Sequence, residues 1–303
     1  MILLDNLDKL YSSFKRLDKL SSLSRFLIRE ITNVIVPFYF RLSKSNETLD
    51  SKNNLIVSFT TFPDRISKIW LVIECLLRQK MLPSKIILWL SSEQFPNHLL
   101  DLPAKLVRYH SRGLVEIRFL KEDLRSHKKY FYALQEFPDK LIVTVDDDLF
   151  YSSNTLGDLY SLHMKFPNCL CCLRAYKVKK ELDIIQPYKN WDILYSGFGP
   201  SLQLFHTSGG GTLYKKSLFP EEVFDKEVFS KICLKADDVW LNLMLQMKGT
   251  PSVKSDFFSH LLPIQNKSEK LSFSNVYEGG NDKQIEAVMD WYKISRTKVF
   301  NNK

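Results

Sequence analysis

From residue 55 onward, short apolar runs alternate with stretches of helical periodicity. Residues 55–59 (LIVSF) read as a buried strand, closed by the turn-like Thr60-Thr61-Phe62-Pro63-Asp64. Residues 66–81 carry apolar side chains at helical spacing and stop before Pro83, and residues 85–90 and 115–119 read as a second and third strand. Residues 126–137 predict a helix ended by a proline, and residues 141–145 (LIVTV) a fourth strand. Beyond it the pattern predicts a helix over 154–166, a strand over 169–174, a helix over 237–247 that opens with two carboxylates, and a last helix over 285–292. The aromatic-rich stretch 177–208 has weak periodicity and predicts no defined element. Short apolar strands alternating with such helices predict an α/β fold with a mainly parallel sheet covered on both faces. In such sheets ligands bind at the carboxyl ends of the strands.

Ahead of this pattern, residues 45–54 (SNETLDSKNN) are polar and read as a linker, dividing a helical extension with its linker (1–50) from a main domain (51–303). Residues 1–44 lack the pattern of a signal peptide, and their most apolar part, 26–42, is interrupted by Arg29, Glu30, Pro37 and Arg41, too charged for a spanning helix. Eight Lys and Arg against four Asp and Glu, interleaved with Leu, Ile and Phe, suit a basic amphipathic contact with a membrane surface. A helical appendage packed on the domain or against a second subunit satisfies the same pattern.

Composition changes this picture little. At 303 residues, 45% hydrophobic and 25% charged, the chain has material for a full globular core. The net charge of +9 favours anionic partners such as a nucleoside diphosphate or a phospholipid surface. Nucleic acid is set aside, because no reader motif accompanies the dispersed basic residues. The five cysteines are odd in number, and Cys171 and Cys172 would point to opposite faces of a strand, so they read as small core residues in a reducing cytoplasm.

The chemistry concentrates after the fourth strand. Asp146, Asp147 and Asp148 repel one another at a strand end, and a hard divalent cation such as magnesium or manganese would remove that cost. A solvated acidic turn is the plain alternative. Three of the chain's ten glycines stand together at Gly209, Gly210 and Gly211, which permits close backbone approach to a ligand. Asp237 and Asp238 open a helix, where the macrodipole alone would favour carboxylates.

These motifs, in this order, resemble the core of bacterial GT-A glycosyltransferases, a Rossmann-like nucleotide-diphospho-sugar transferase fold. The resemblance spans roughly residues 54–250 and rests on Thr61-Phe-Pro-Asp-Arg65, a lysine-bearing helix ending in a Pro-Asp pair, LIVTVDDDLFY, GGGTLY from Gly209 and ADDVWL from Ala236. It implies a metal-dependent transfer of sugar from a nucleotide sugar to a glycan or lipid-linked acceptor, in envelope or capsule polysaccharide synthesis; with the cysteine pattern and the basic amino-terminal segment, the expected place is the cytoplasmic side, peripheral to the membrane.

Residue by residue, it implies that Asp148 and Asp146 hold the metal and that one of them also contacts the donor. Asp147 is grouped with the donor site and orients the turn. Lys129 would reach the donor phosphates as a mobile point charge, with Lys128 beside it the solvated lysine. Thr61, Pro63 and Arg65 would frame the nucleotide. Gly209, Gly210 and Gly211 would lie on the acceptor side, and Asp237 or Asp238 would face the acceptor, as general base if configuration inverts. His260 would complete the metal site, and Asn281-Asp282 would cover it from the carboxy-terminal side. Two other classes stay open: a magnesium-dependent phosphatase of the haloacid-dehalogenase kind, which shares an Asp-x-Asp after a strand, and a non-catalytic carbohydrate- or membrane-binding protein on the same fold. Whether the chain self-associates stays open as well.

Overall fold

The β-branched, apolar run predicted to open the domain forms β1 (Leu55–Thr60), a buried interior strand of the main sheet. The structure, a computed structural model, describes residues 1–14, 19–256, 261–266, 275 and 279–301. In chain order its elements begin with helices α1 (Ile2–Ser13) and α2 (Lys19–Leu42), then β1, α3 (Pro63–Ile66), α4 (Ile69–Leu77), β2 (Lys85–Ser91), α5 (Ala104–Ser111), β3 (Glu116–Leu120), α6 (Lys128–Glu136), β4 (Leu141–Thr144) and α7 (Thr155–Lys165). There follow β5 (Leu170–Cys172), β6 (Ala175–Lys177), β7 (Lys180–Glu181), β8 (Ile184–Ile185), β9 (Asp192–Ile193), β10 (Phe198–Ser201), β11 (Leu204–His206) and β12 (Thr212–Tyr214). The chain closes with α8 (Lys226–Ile232), α9 (Asp237–Lys248), β13 (Ser252–Lys254) and α10 (Gly280–Trp291).

The main sheet runs β10-β13-β5-β12-β4-β1-β2-β3. It is parallel through β3, β2, β1 and β4, and again between β5 and β13, while β12 runs antiparallel to both β4 and β5. The alternation of side chains along each strand sends Leu55, Val57 and Phe59 of β1 to one face with Leu88 and Val143, and Ile56 to the other with Ile87 and Ile142. Helices α4, α5 and α7 cover the first face; α6, α8, α9 and α10 cover the second. The fold is therefore α/β, three layers deep, as the strand and helix pattern predicts. All five cysteines are free and buried, and Cys171 and Cys172 do lie in the cores on opposite faces of the sheet.

Three local expectations are revised. The helix expected over 66–81 is two pieces, because Pro63 starts α3 at its first helical turn and the chain turns again at Ser67-Lys68 before α4. The weakly patterned stretch 177–208 is ordered as a small antiparallel sheet, β11-β6-β9, beside a two-stranded hairpin. Its periodicity is weak because its strands are two to four residues long and its core is aromatic: Tyr188, Trp191 and Phe205 pack as edge-to-face or tilted rings. Lys128 is not a solvated lysine but is buried beside Asp123.

The amino-terminal helices lie on the first face. Asp5 of α1 accepts the backbone and side-chain bonds of Ser153, and α2 buries Ile28, Thr32, Val36 and Phe40 at four-residue spacing toward the domain. The Arg78 guanidinium bonds the Ser43 carbonyl at the end of that helix. No helix among the described residues is long and apolar enough to cross a membrane.

Candidate active site

The site is built where β1 and β4 end side by side, in register at Ser58 and Thr144. Asp146, Asp147 and Asp148 follow β4, and the turn between β1 and α3 lies opposite them. Two contacts bring α6 to this edge. The Trp89 indole donates to the Ser58 hydroxyl, which in turn donates to the Lys129 carbonyl, so the first turn of α6 is pinned to β1. His127, stacked on Phe229, donates from Nε2 to the Cys233 carbonyl at 2.9 Å and accepts the Tyr130 hydroxyl at Nδ1. Burial lowers its pKa to about 4, so the ring is neutral and fits that pairing. It locks the start of α6 to the segment leading into α9.

The acidic triplet divides by direction. Asp147 turns inward, with a side chain 8% exposed, whereas those of Asp146 and Asp148 are 34% and 30% exposed. Asp147 accepts the Thr61 hydroxyl at 2.6 Å and Arg65 Nη1 at 2.7 Å; the same guanidinium lies 2.9 Å from Asp148. Burial pulls the Arg65 pKa down, but Asp147 and Asp148 outweigh it and hold the guanidinium above its ordinary value. Burial raises both carboxyls in spite of Arg65, that of Asp148 to about 6.

On the other side, Lys129 Nζ sits 2.9 Å from Asp146, 3.1 Å from Asp237 and 3.0 Å from the Ser208 hydroxyl. This corrects the expectation of a mobile point charge: three partners hold the ammonium in the floor of the site, with a side chain 5% exposed. Burial opposes its charge, yet Asp146, Asp237 and Asp238 keep its pKa well above the ordinary lysine value. Burial likewise opposes the Asp237 charge, and the Lys129 ammonium overcomes it, so its pKa lies below the usual value. Asp238 differs. It is less buried than Asp237, accepts the Ser208 N–H at 2.9 Å, and is pushed up to about 7 by burial and by the Asp237 charge. Lys128, expected in solvent, is buried against Asp123 at 2.5 Å, because the first turn of α6 faces inward on both sides.

The glycine run closes the site. Gly209 leaves no room for a side chain, since a Cβ there would lie 2.9 Å from Asp146 Oδ2, and one on Gly210 would lie 2.8 Å from the Arg174 Cβ. Gly211 has φ +95°, in the left-handed region. Tyr151 joins this turn to the triplet, its hydroxyl accepting the Asp146 N–H at 2.7 Å and donating to the Gly209 carbonyl at 2.9 Å. Tyr151 ends the run LIVTVDDDLFY but has no role of its own in the sequence reading, and Ser208 and Arg174 stand in no motif; only the tertiary approach of the turn makes the three part of the site.

The structure thus brings together Thr61, Arg65, Lys129, Asp146, Asp147, Asp148, Gly209, Asp237 and Asp238. Pro63 contributes the start of α3. Asp282 accepts the Tyr188 N–H and braces the aromatic segment. His260 lies outside the described residues. Among the described residues no three His, Cys, Asp or Glu side chains converge as a ready-made metal cage. The donor chemistry present nevertheless suits a hard cation: Asp146 and Asp148 offer partly exposed carboxylates, and the site's five carboxylates are set against two cations, Arg65 and Lys129, which pair with four of them.

No protein-family model matches the chain, and no curated protein matches it in sequence. Among solved structures, it superposes on residues 1–349 of TarS from S. aureus with a TM-score of 0.42 and 14% identity, covering 80% of this chain and 72% of that one. The same protein in complex with UDP-GlcNAc gives a TM-score of 0.43 and 14% identity over 80% and 73% of the two chains. The 4-diphosphocytidyl-2C-methyl-D-erythritolsynthase of Anaerococcus prevotii gives 0.42 and 13% over 76% and 99%. At such TM-scores these likenesses carry no functional weight, and the reading of the site rests on its own residues.

Proposed function

We propose that this chain is a metal-dependent glycosyltransferase of the GT-A type, which moves a sugar from a nucleoside-diphosphate sugar to a hydroxyl of a glycan or lipid-linked acceptor. The observation that carries the reading is the division of the triplet: two carboxylates at the rim, Asp146 and Asp148, above a floor that holds Lys129 and Asp237 as a buried pair. A solvated acidic turn needs no such floor.

Asp148 and Asp146 would hold the divalent cation, which when bound neutralises the donor diphosphate. A diphosphate would otherwise meet an excess of carboxylates, so donor binding without a cation is disfavoured. Arg65 and Thr61 keep Asp147 turned away from the rim and so set the angle at which its neighbours present their oxygens. Lys129 acts from the floor, offsetting negative charge on the departing nucleoside diphosphate through a fixed field. Asp237 keeps that ammonium charged and in place. Asp238 is the group suited to the acceptor: the acceptor oxygen bonds to the anomeric carbon as the bond from that carbon to the diphosphate oxygen breaks, and the hydroxyl proton passes to the Asp238 carboxylate. A carboxyl held at about 7 takes up a proton near neutrality.

A thermal-shift screen of nucleotide sugars with manganese tests the reading. A donor should raise the melting temperature only with the metal, slow release of UDP or GDP should accompany it, and Asp148→Ala should abolish the shift while melting like wild type in buffer. An equal response from wild type and Asp148→Ala would remove Asp148 from the site. Cleavage of a phosphate ester with no response to any donor would replace the transferase by a phosphatase.

A further inference from the structure

Helix α2 is apolar on two sides. The inner side meets the domain through Ile28, Val36 and Phe40. The outer pole carries Leu20, Leu27, Ile31, Val34, Phe38 and Leu42, each between 47% and 74% exposed. At 100° per residue these six fall within an arc of about 80°, centred about 140° around the helix from the buried face. A helix of 24 residues is about 36 Å long, so the stripe is a continuous apolar ridge. Soluble monomers rarely leave a contiguous patch of this kind in water.

We propose that this ridge seats the protein in the plane of an anionic lipid bilayer. The charges beside it choose among occupants. Lys19 lies at its amino end, Arg41 and Lys44 at its carboxy end, and all three are exposed. The acid near its edge, Glu30, is engaged by Arg29 and Gln265. A second copy pairing through the same ridge, in either direction, would set basic ends against basic ends. A surface of acidic headgroups attracts them instead, and the apolar ridge enters the acyl boundary to a shallow depth. The helix lies on the bilayer rather than crossing it, consistent with the lack of any spanning helix among the described residues.

The seating also orients the site. Asn33 of α2 donates to the Pro263 carbonyl and accepts the Gln265 N–H, and Ile264 in the same segment donates to the Asp148 carbonyl at 2.7 Å. One short segment therefore separates the lipid-facing helix from the acidic rim. On the glycosyltransferase reading this favours the lipid-linked class of acceptor, but the docking does not depend on that reading.

Co-sedimentation of the full chain with phosphatidylcholine vesicles, with and without phosphatidylglycerol, tests it. Wild type should be retained on the vesicles containing phosphatidylglycerol. Leu27→Glu/Val34→Glu should lose retention with an unchanged melting curve, since both side chains face outward. Lys19→Glu/Lys44→Glu should lower partitioning about tenfold or more, and added salt should do the same. No retention of wild type, or equal retention of Leu27→Glu/Val34→Glu, overturns the proposal. So does a dimer seen by light scattering that the same pair of substitutions dissolves while wild type ignores vesicles, which would assign the ridge to a second copy. Donor-dependent melting shifts are read separately, so failure of the docking and failure of the catalytic reading remain distinct.

Discussion

Two cation-centred clusters share the acidic triplet, and they are built for different work. In the first, Arg65 and Thr61 hold Asp147, and Arg65 extends to Asp148 at the rim. In the second, Lys129 lies in the floor between Asp146 and Asp237, with Asp238 nearby. The first joins the turn after β1 and the short helix α3 to the loop after β4 and is a brace of fixed geometry, as suits a planar guanidinium that donates to two carboxylates. The second joins three separate elements, α6, the loop after β4 and α9, so its charges are bound to the tertiary fold. The difference teaches that neighbouring acids in one motif can be assigned opposite tasks by the cations they meet.

The largest effect that would break this comparison is expected in the floor. Lys129→Met leaves Asp146, Asp237 and Asp238 facing one another with the buried counter-ion gone. It should cost about 3–5 kcal/mol of stability in urea melts, as well as turnover. A loss under about 1 kcal/mol would show that the floor is solvated and the division wrong.

Next in size is Asp238→Asn, which as loss of a general base should lower turnover about 10²–10⁴-fold while donor binding persists. Its pH dependence has a definite sign. The Asp238 carboxyl, raised from 3.8 to about 7, is protonated in the folded protein below that value, so wild-type turnover should rise as pH increases through about 7. The stability that comes from folding with a neutral carboxyl is complete below the unfolded value near 3.8 and lost as pH rises through about 7. Wild type should therefore lose melting temperature relative to Asp238→Asn over that window, and a constant difference would contradict the assignment.

Smaller effects should separate the two outer acids from the inner one. Asp147→Asn weakens its bonds to Arg65 and Thr61 and should cost about 1–3 kcal/mol. Asp148→Asn, a third exposed, should cost less than about 1 kcal/mol and remove the manganese-dependent response to donor. Identical melting and donor binding for the two variants would erase the contrast. Gly209→Ala should be mildest, at about 1 kcal/mol, through the methyl group it directs at Asp146 Oδ2. Its sharper readout is weakened donor binding, because the acid must move.

Much of this could be read from residue pattern. The runs LIVSF and LIVTV are apolar because β1 and β4 are buried on both faces, and the triplet follows β4 where ligands of α/β sheets bind. Lys129 is marked only by the resemblance, and the Asp237-Asp238 pair, which helix capping alone could explain, is assigned a role by that same resemblance. Their partnership could not be read. Lys128 and Lys129 are adjacent and chemically equal, yet one pairs with Asp123 and the other with Asp146 and Asp237, according to which way each faces on α6. Tyr151 ends the run LIVTVDDDLFY without a role that the run itself discloses, and Ser208 stands in no motif; their roles come from the glycine turn, which is 58 residues from Tyr151 in sequence.

The sequence by itself determined the alternation of strand and helix, the placing of the acids after a buried strand and the basic, amphipathic character of residues 1–44, because burial and period act locally along a chain. Only the tertiary structure decided that Asp147 turns inward, that Lys129 is fixed rather than mobile and that the second apolar side of α2 faces outward. Those outcomes depend on which distant groups lie within a few ångströms, where desolvation and ion pairing are strong enough to set direction and charge.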